Sequence, residues 1–357
     1  MNYDWLASAR AQFLRLSAHT PHAILIQGGP GLGKHMLARE IVASLLCDQP
    51  LDREGAHCAC GSCKNCIMFE SGNHPDFHYI SSERFVESGD SPHLAYTQRY
   101  LEAPEKRGKR KPRKIISVDQ IRALIDNFCL SNHSAPNKVA LIEPADAMNI
   151  NASNALLKLL EEPNPDTILI LVCNDISRLP MTIRSRCISL SVDPPGSDQA
   201  VSWLQSQGLD ENTAKKALAI CGGAPLIALA YIRSEEVNNF EALLEALAAN
   251  LNEGIGPVET REILIKLQSL DTLLSWLQMV VQWLISNVQG SAHSGPAPWQ
   301  AYKRPFSKLS RKLDESALAA LFSLYDELSL MKKQDLDIVS PGLLLDKWLI
   351  SFSRQLG

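Results

Sequence analysis

A chain of 357 residues exceeds what one hydrophobic core organises, so two or three domains are expected. Hydrophobic content of 45% with 21% charged residues is that of a folded globular protein and excludes a disordered or fibrous chain. A net charge of −4 excludes a protein that coats nucleic acid by bulk charge, while leaving room for a local basic face.

The opening residues, MNYDWLASARAQFLRL, carry Asp4 and neither an apolar core nor a small-residue cleavage site, so no secretory signal is read there. From Pro21 to about Val192, apolar strands alternate with helices, the pattern of an α/β fold with a mainly parallel sheet. Strands are expected at Ala23–Ile26, Phe77–Ile80, Lys138–Ile142, Thr167–Val172 and Cys187–Ser191. Helices are expected at Met36–Cys47, Val118–Asn127, Ala152–Leu160 and Met181–Arg184. Ser81 to Lys114 breaks this rhythm with polar, turn-rich sequence and reads as an exposed, partly mobile loop.

A prolyl hinge, Pro194-Pro195-Gly196, precedes a short helical unit reaching about Ser234. Helical periodicity then runs through Phe240–Leu251, Val258–Leu270 and Asp271–Asn287, and resumes at Leu313–Lys332 and Leu343–Leu356 after a turn-rich stretch from Gly290 to Pro298. The longest apolar run, Leu273–Ile285, is interrupted by Gln278 and Gln282 and is too short to span a bilayer. A soluble cytoplasmic protein without membrane association is therefore expected, and no internal repeat or long heptad pattern is visible.

The first chemistry-bearing motif is GGPGLGKH, Gly28 to His35, between the first strand and its helix. Glycines Gly28, Gly31 and Gly33 let backbone N–H groups converge on phosphate oxygens, and Lys34 neutralises their charge. The last position of such a loop carries a Ser or Thr hydroxyl for Mg²⁺, and here it is His35. Because Mg²⁺ demands hard oxygen ligands, the motif leaves ATP or ADP binding open and argues against hydrolysis. The complementary acidic strand end is Lys138–Asn149, where Glu143 stands at the metal-side carboxylate position and Pro144 replaces the acid that would orient water. Asp146, two residues on, reads as a cap or turn acid before the helix near Asn151.

Five of the nine cysteines fall between Cys47 and Cys66. Cys60, Cys63 and Cys66 form two overlapping C-x₂-C knuckles that suit one tetrahedral Zn²⁺, with redox chemistry as the competing reading. The fourth ligand is open among Cys47, Cys58 and His57. Cys129, Cys173, Cys187 and Cys221 are expected as buried free thiols. Lys106–Lys114 holds seven Lys/Arg in nine residues, without aromatic residues to stack bases, and reads as a solvated loop with direct DNA contact as the alternative.

Together, HAILIQGGPGLGK, LLC…CGSCKNC, HPDF at His74–Phe77, ISVDQIR at Ile116–Arg122, NALLKLLEEP at Asn154–Pro163 and RSRC at Arg184–Cys187 resemble, in that order, the delta-prime subunits of bacterial DNA polymerase III clamp loaders, of the AAA+ superfamily. The resemblance implies a RecA-like AAA+ domain with the zinc module at 47–66 (residues 1–192), a helical lid (193–236) and a helical collar for oligomerisation (237–357). It implies a ring with gamma/tau and delta subunits that loads the sliding clamp on primed DNA. It also implies structural zinc held by Cys47, Cys60, Cys63 and Cys66, with Cys58 the extra thiol. Arg186 of Ser185-Arg186-Cys187 is implied as an arginine finger offered to a neighbouring subunit's nucleotide.

His35, Glu143-Pro144 and Leu226, which stands where the active paralogue places a nucleotide-sensing arginine, depart from the catalytic pattern. Asn174 reads equally as a remnant polar sensor or as a strand-end turn. The expectation is a subunit with a silent site of its own; an active gamma/tau-like ATPase and a zinc-dependent DNA-binding protein on an AAA+ scaffold are the alternatives.

Overall fold

Strand β1 (Ala23–Gln27) is a short aliphatic run buried along nearly its whole length, as a parallel sheet covered by helices requires. A hairpin, β2 (Leu51–Arg53) with β3 (Ala56–Cys58), follows, then β4 (Phe77–Ile80), β5 (Lys138–Ile142), β6 (Thr167–Cys173) and β7 (Ile188–Ser191). The main sheet has the order β4-β5-β6-β1-β7 and every pairing is parallel, with Leu25 opposite Leu171 on one side and Ser189 on the other. All residues of β4, β5 and β6 are buried, whereas edge strand β7 exposes Ile188 and Ser189. The computed structural model describes residues 3–16, 21–53, 56–87, 92–102, 110–130, 132–290, 298–311, 313–333 and 340–356.

Helices in this first unit are α1 (Ala7–Leu16), α2 (Lys34–Leu46), α3 (Lys64–Glu70), α4 (Glu83–Glu87), α5 (Val118–Phe128), α6 (Ile150–Glu161) and α7 (Met181–Arg184). Two of them start where the sequence supplies a cap: Gln120 Oε1 accepts the Ser117 N–H at 2.9 Å before α5, and Asn149 Oδ1 accepts the Ala152 N–H at 2.8 Å before α6. Their apolar faces, with Ile121, Leu124, Phe128, Leu156 and Leu160, form one core with Leu25, Ile80, Ile142 and Leu171 of the sheet. The expected strands and helices of this region are all present, with ends moved by one or two residues.

One segment differs. Ser81 to Lys114 was expected to lie exposed, yet Ser81, Ser82, Glu83, His93, Leu94, Tyr96, Thr97 and Tyr100 are buried. The aromatic residues at 96 and 100 supply the reason, because they pack against Phe77 and His78 of β4. Of the basic run, residues 106–109 lie outside the described residues, and Arg110 turns inward to Glu83 and Glu102 at 2.7 and 2.8 Å.

The chain divides between Pro194 and Pro195, at the prolyl hinge. The second unit has helices and no strand among its described residues: α8 (Ser197–Ser206), α9 (Glu211–Ile220), α10 (Pro225–Arg233), α11 (Glu236–Asn252), α12 (Pro257–Leu267), α13 (Leu270–Val288), α14 (Lys303–Ser310), α15 (Leu318–Lys333) and α16 (Pro341–Leu356). Pro225 and Pro257 open their helices, where a missing N–H costs nothing. One continuous core joins Leu204, Leu218, Phe240, Trp276, Leu284, Trp348 and Phe352, with Phe240 edge-on to Trp276 at 5.3 Å. No single helix among the described residues is long and apolar enough to cross a membrane.

Candidate functional site

The phosphate loop leaves the carboxyl end of β1 and enters α2, the usual place for a ligand in an open α/β sheet. Gly28, Gly31 and Gly33 have φ of 153°, 70° and 84°, conformations that side chains with a Cβ rarely adopt. A Cβ on Gly28 would also stand 2.2 Å from the Val192 carbonyl oxygen, so this glycine lets the loop lie against the end of β7. Lys34 is 5% exposed and its Nζ donates to the Gly29 carbonyl. Burial pulls its ammonium down to about 8, against the opposing pull of Glu143 and Asp146.

His35 does more than vacate the hydroxyl position. Its Nδ1 bonds Glu143 Oε2 at 2.7 Å, and the same oxygen accepts the Tyr79 hydroxyl at 2.8 Å. Glu143 is itself 5% exposed. The carboxylate that would face Mg²⁺ is thus occupied by two protein donors, and its metal-side partner is an imidazole. These residues do not fit a Mg²⁺ site. Pro144 follows with no group to polarise water. Above the loop, the Trp5 indole donates to the Leu32 carbonyl at 2.9 Å, so the N-terminal turn Asp4–Leu6 is fastened to the loop itself.

Asp146 and Asn174 come together: the Asp146 carboxylate accepts the Asn174 backbone N–H at 2.9 Å, tying the end of β5 to the end of β6. Of the two readings of Asp146, the turn acid holds, since it lies in the turn Ala145–Ala147, and the cap does not, since Asn149 caps α6. Asn174 keeps its side chain exposed. Leu226 lies in the first turn of α10 in the second unit.

Arg186 follows α7 at the rim of the first unit. Its Nη2 is 2.8 Å from Glu161 Oε1 and its Nη1 donates to the Thr182 carbonyl at 2.9 Å, while 37% of its side chain stays exposed. The neighbouring Cys187 thiol is pushed up to about 11 by burial and is inert as a nucleophile.

The four sulfurs of Cys47, Cys60, Cys63 and Cys66 lie within 4.8 Å of one another, and Cys58 is exposed outside the group. The Cys47–Cys63 and Cys60–Cys66 sulfur pairs are each 3.9 Å apart. Four thiolates on a tetrahedral Zn²⁺ at about 2.3 Å stand about 3.8 Å from each other, so the donors fit that ion. Cys47 comes from the end of α2, and Cys60 and Cys63 from the turn before α3. Backbone N–H groups support the knuckles, Cys63 N–H to Cys60 Sγ at 3.3 Å and Cys66 N–H to Cys63 Sγ at 3.4 Å. Cys60 is drawn down to about 6 by the N–H groups of Ser62 and Cys63, whereas burial raises Cys47 and Cys66. The side chain of His57 lies outside the described residues. Among the other thiols Cys173 is buried as expected, Cys187 and Cys221 are half-buried, and Cys129, which caps the end of α5, is exposed, because it lies past the last buried residue of that helix, Phe128.

Sequence reading missed the anchor beside this module. Asp76 of HPDF is fully buried, and its carboxylate accepts the N–H groups of His133, Ser134 and Ala135 at 2.8, 2.8 and 3.0 Å. Burial would raise its pKa, and these backbone donors outweigh it and hold the group below the usual carboxylate range. The buried imidazoles of His74 and His78 lie beside it, and a third buried imidazole, His93, stacks on Phe69 at 4.6 Å. The signal was an acid set directly before an apolar strand, Phe77–Ile80, a position that carboxylates occupy buried only when partnered.

A family model described as DNA polymerase III, delta subunit, matches residues 12–196. The chain is 36% identical over 228 residues to the DNA polymerase III subunit delta' of Pseudomonas aeruginosa, covering 63% of this chain and 60% of that one. It is 31% identical over 258 residues to the Escherichia coli subunit of the same name, covering 71% and 67%. At 26% identity the Yersinia pestis subunit matches over 99% of this chain and 96% of its own length. A solved DNA polymerase III gamma subunit-related protein from Thermotoga maritima is similar over 98% of this chain and all of that one, at 13% identity and a TM-score of 0.44. The match thus spans about 60% of the length of the Pseudomonas relative.

Proposed function

The chain belongs to the DNA polymerase III delta-subunit family, and on that premise we propose that it is the delta-prime subunit of a clamp loader whose own phosphate loop is silent in hydrolysis. The observation that carries this reading is the direct bond from His35 to Glu143, which joins the two positions from which such a loop would hold Mg²⁺. The subunit acts instead on its neighbours. It assembles with gamma/tau and delta subunits in the cytoplasm and helps place the sliding clamp on primed DNA. Arg186 completes the nucleotide site of the adjacent subunit, where a guanidinium stabilises charge on the transferring phosphoryl group. Its exposure and its weak, exposed partner Glu161 suit a group that exchanges one anion for another.

The division into an AAA+ domain (1–192), lid (193–236) and collar belongs to the same proposal, with the collar, residues 237–357, closing the ring. Zn²⁺ on Cys47, Cys60, Cys63 and Cys66 has a structural role, since all four positions are protein thiolates and none is left for substrate.

Reconstitution of the loader with clamp and primed DNA tests the reading. Arg186→Ala is expected to leave the subunit folded and to lower ATP turnover at the site it completes on the order of 10³-fold. Lys34→Ala in the same assay is expected to leave turnover intact. Unchanged turnover with Arg186→Ala would remove the finger from the account, and Mg²⁺-dependent hydrolysis by the isolated chain would return the site to the catalytic class.

A further inference from the structure

The phosphate loop and its metal-side groups are built for different ends. The loop has three positive-φ glycines, which turn its N–H groups inward, and the buried Lys34, and both features suit an anion. The metal side has closed on itself. His35 Nδ1 and Glu143 Oε2 are 2.7 Å apart, a direct hydrogen bond, with Tyr79 on the same oxygen. Two ligands of one octahedral Mg²⁺ would each bond the ion at about 2.1 Å rather than each other, and imidazole is a poor ligand for so hard a cation.

We propose that this loop takes a polyphosphate anion, such as the tail of a nucleoside triphosphate, without any divalent cation. The His35–Glu143 bond stands where the ion would sit, so Glu143 neither needs nor accepts a metal. Lys34 turns from the Gly29 carbonyl to a phosphate oxygen, and the loop N–H groups supply the remaining donors. Burial weakens Lys34 as a cation in the present arrangement, and an adjacent anion restores it. The inference rests on the reading of this site as non-hydrolysing and goes further, because it separates binding from metal dependence.

Binding of ATP and of inorganic tripolyphosphate to the whole purified chain, by calorimetry in EDTA and in excess Mg²⁺, tests it. The wild type is expected to bind ATP in EDTA, with an affinity that Mg²⁺ changes by less than about threefold. Competition by tripolyphosphate would show that the phosphates alone are read, and binding of ATP alone would add a contribution from the nucleoside; both support a metal-free site. His35→Ser, which restores the hydroxyl and frees Glu143, is expected to gain a Mg²⁺ dependence of about tenfold or more. Lys34→Ala is expected to lose binding under both conditions. Absence of binding in EDTA, or binding by the wild type only with Mg²⁺, would overturn the proposal, and this comparison decides it even if His35→Ser does not fold. ATP turnover by the same wild-type sample would defeat the non-hydrolysing reading instead, so the two failures are distinguishable.

Discussion

Glu143 and Arg186 both stand where the sequence pattern suggests a nucleotide-site residue, yet the fold treats them in opposite ways. Glu143 is 5% exposed with two protein donors on one oxygen, whereas Arg186 keeps 37% of its side chain in solvent and meets a glutamate whose side chain is 50% exposed. Removing a partner from a buried charge costs about 3–5 kcal/mol, while an exposed ion pair is worth about 0–1 kcal/mol. The first pairing is therefore a commitment and the second is exchangeable. A motif residue locked by internal partners has become part of the scaffold, and one held loosely at the rim is still available to another molecule.

The contrast between buried commitment and exposed availability can be broken at several places. The largest effect is expected at the cysteine cluster, where Cys47 is buried and Cys58 exposed. Cys47→Ser should abolish stoichiometric zinc measured by elemental analysis, and Cys58→Ser should leave one equivalent bound. Zinc retained by the first variant would refute the four-cysteine assignment.

Asp76→Ala comes next. It strands backbone N–H groups of His133, Ser134 and Ala135 in a fully buried site, and a loss of about 3–5 kcal/mol is expected in denaturant unfolding. A loss below about 1 kcal/mol would mean that the loop relaxes to solvent.

The buried histidines predict a pH effect of smaller size. Burial lowers His78 to about 4, helped by Arg99 and Lys138, and lowers His93 to about 4, helped by Arg39. Their unfolded pKa is about 6.5, so the unfolded chain binds more protons between these values. Stability is then full above pH about 6.5 and falls toward pH about 4, by roughly 2 kcal/mol per histidine between pH 7 and 5. A melting temperature flat over that range would show that the imidazoles are not held neutral.

The smallest effect is expected on the exposed side of the comparison. Glu161→Ala removes the partner of Arg186 and should change unfolding free energy by less than about 1 kcal/mol. A larger loss would make the pair structural and weaken the case that Arg186 is free to leave it.

Particular residues show what could be read in advance. Strands β1, β5 and β6 were legible because each carries an aliphatic run bounded by turn residues, and the helices because their apolar positions recur at helical spacing. The hairpin β2–β3 went unseen, since three-residue strands carry no periodicity. Helix α14 was missed for another reason: Lys303–Ser310 is largely polar, and its few apolar residues, Phe306 and Leu309 among them, are buried by neighbours remote in sequence. Within Ser81–Lys114 the exposed reading holds for Lys111, Arg113 and Lys114 and fails around Tyr96 and Tyr100, because polarity is only a correlate of exposure and these two tyrosines pack against β4.

By itself the sequence determined the residue types and their order: glycines before Lys34, an imidazole at 35, a proline at 144, cysteines at knuckle spacing and an arginine in Arg184–Cys187. Those choices limit the chemistry because a missing hydroxyl or carboxylate cannot be supplied by folding. Only the tertiary structure decided which groups meet. It placed Cys47 rather than Cys58 with the other sulfurs, bonded His35 to a carboxylate 108 residues away and left Arg186 at the surface. Such pairings depend on sheet order and on which side of each element is buried, and local spacing carries no information about either.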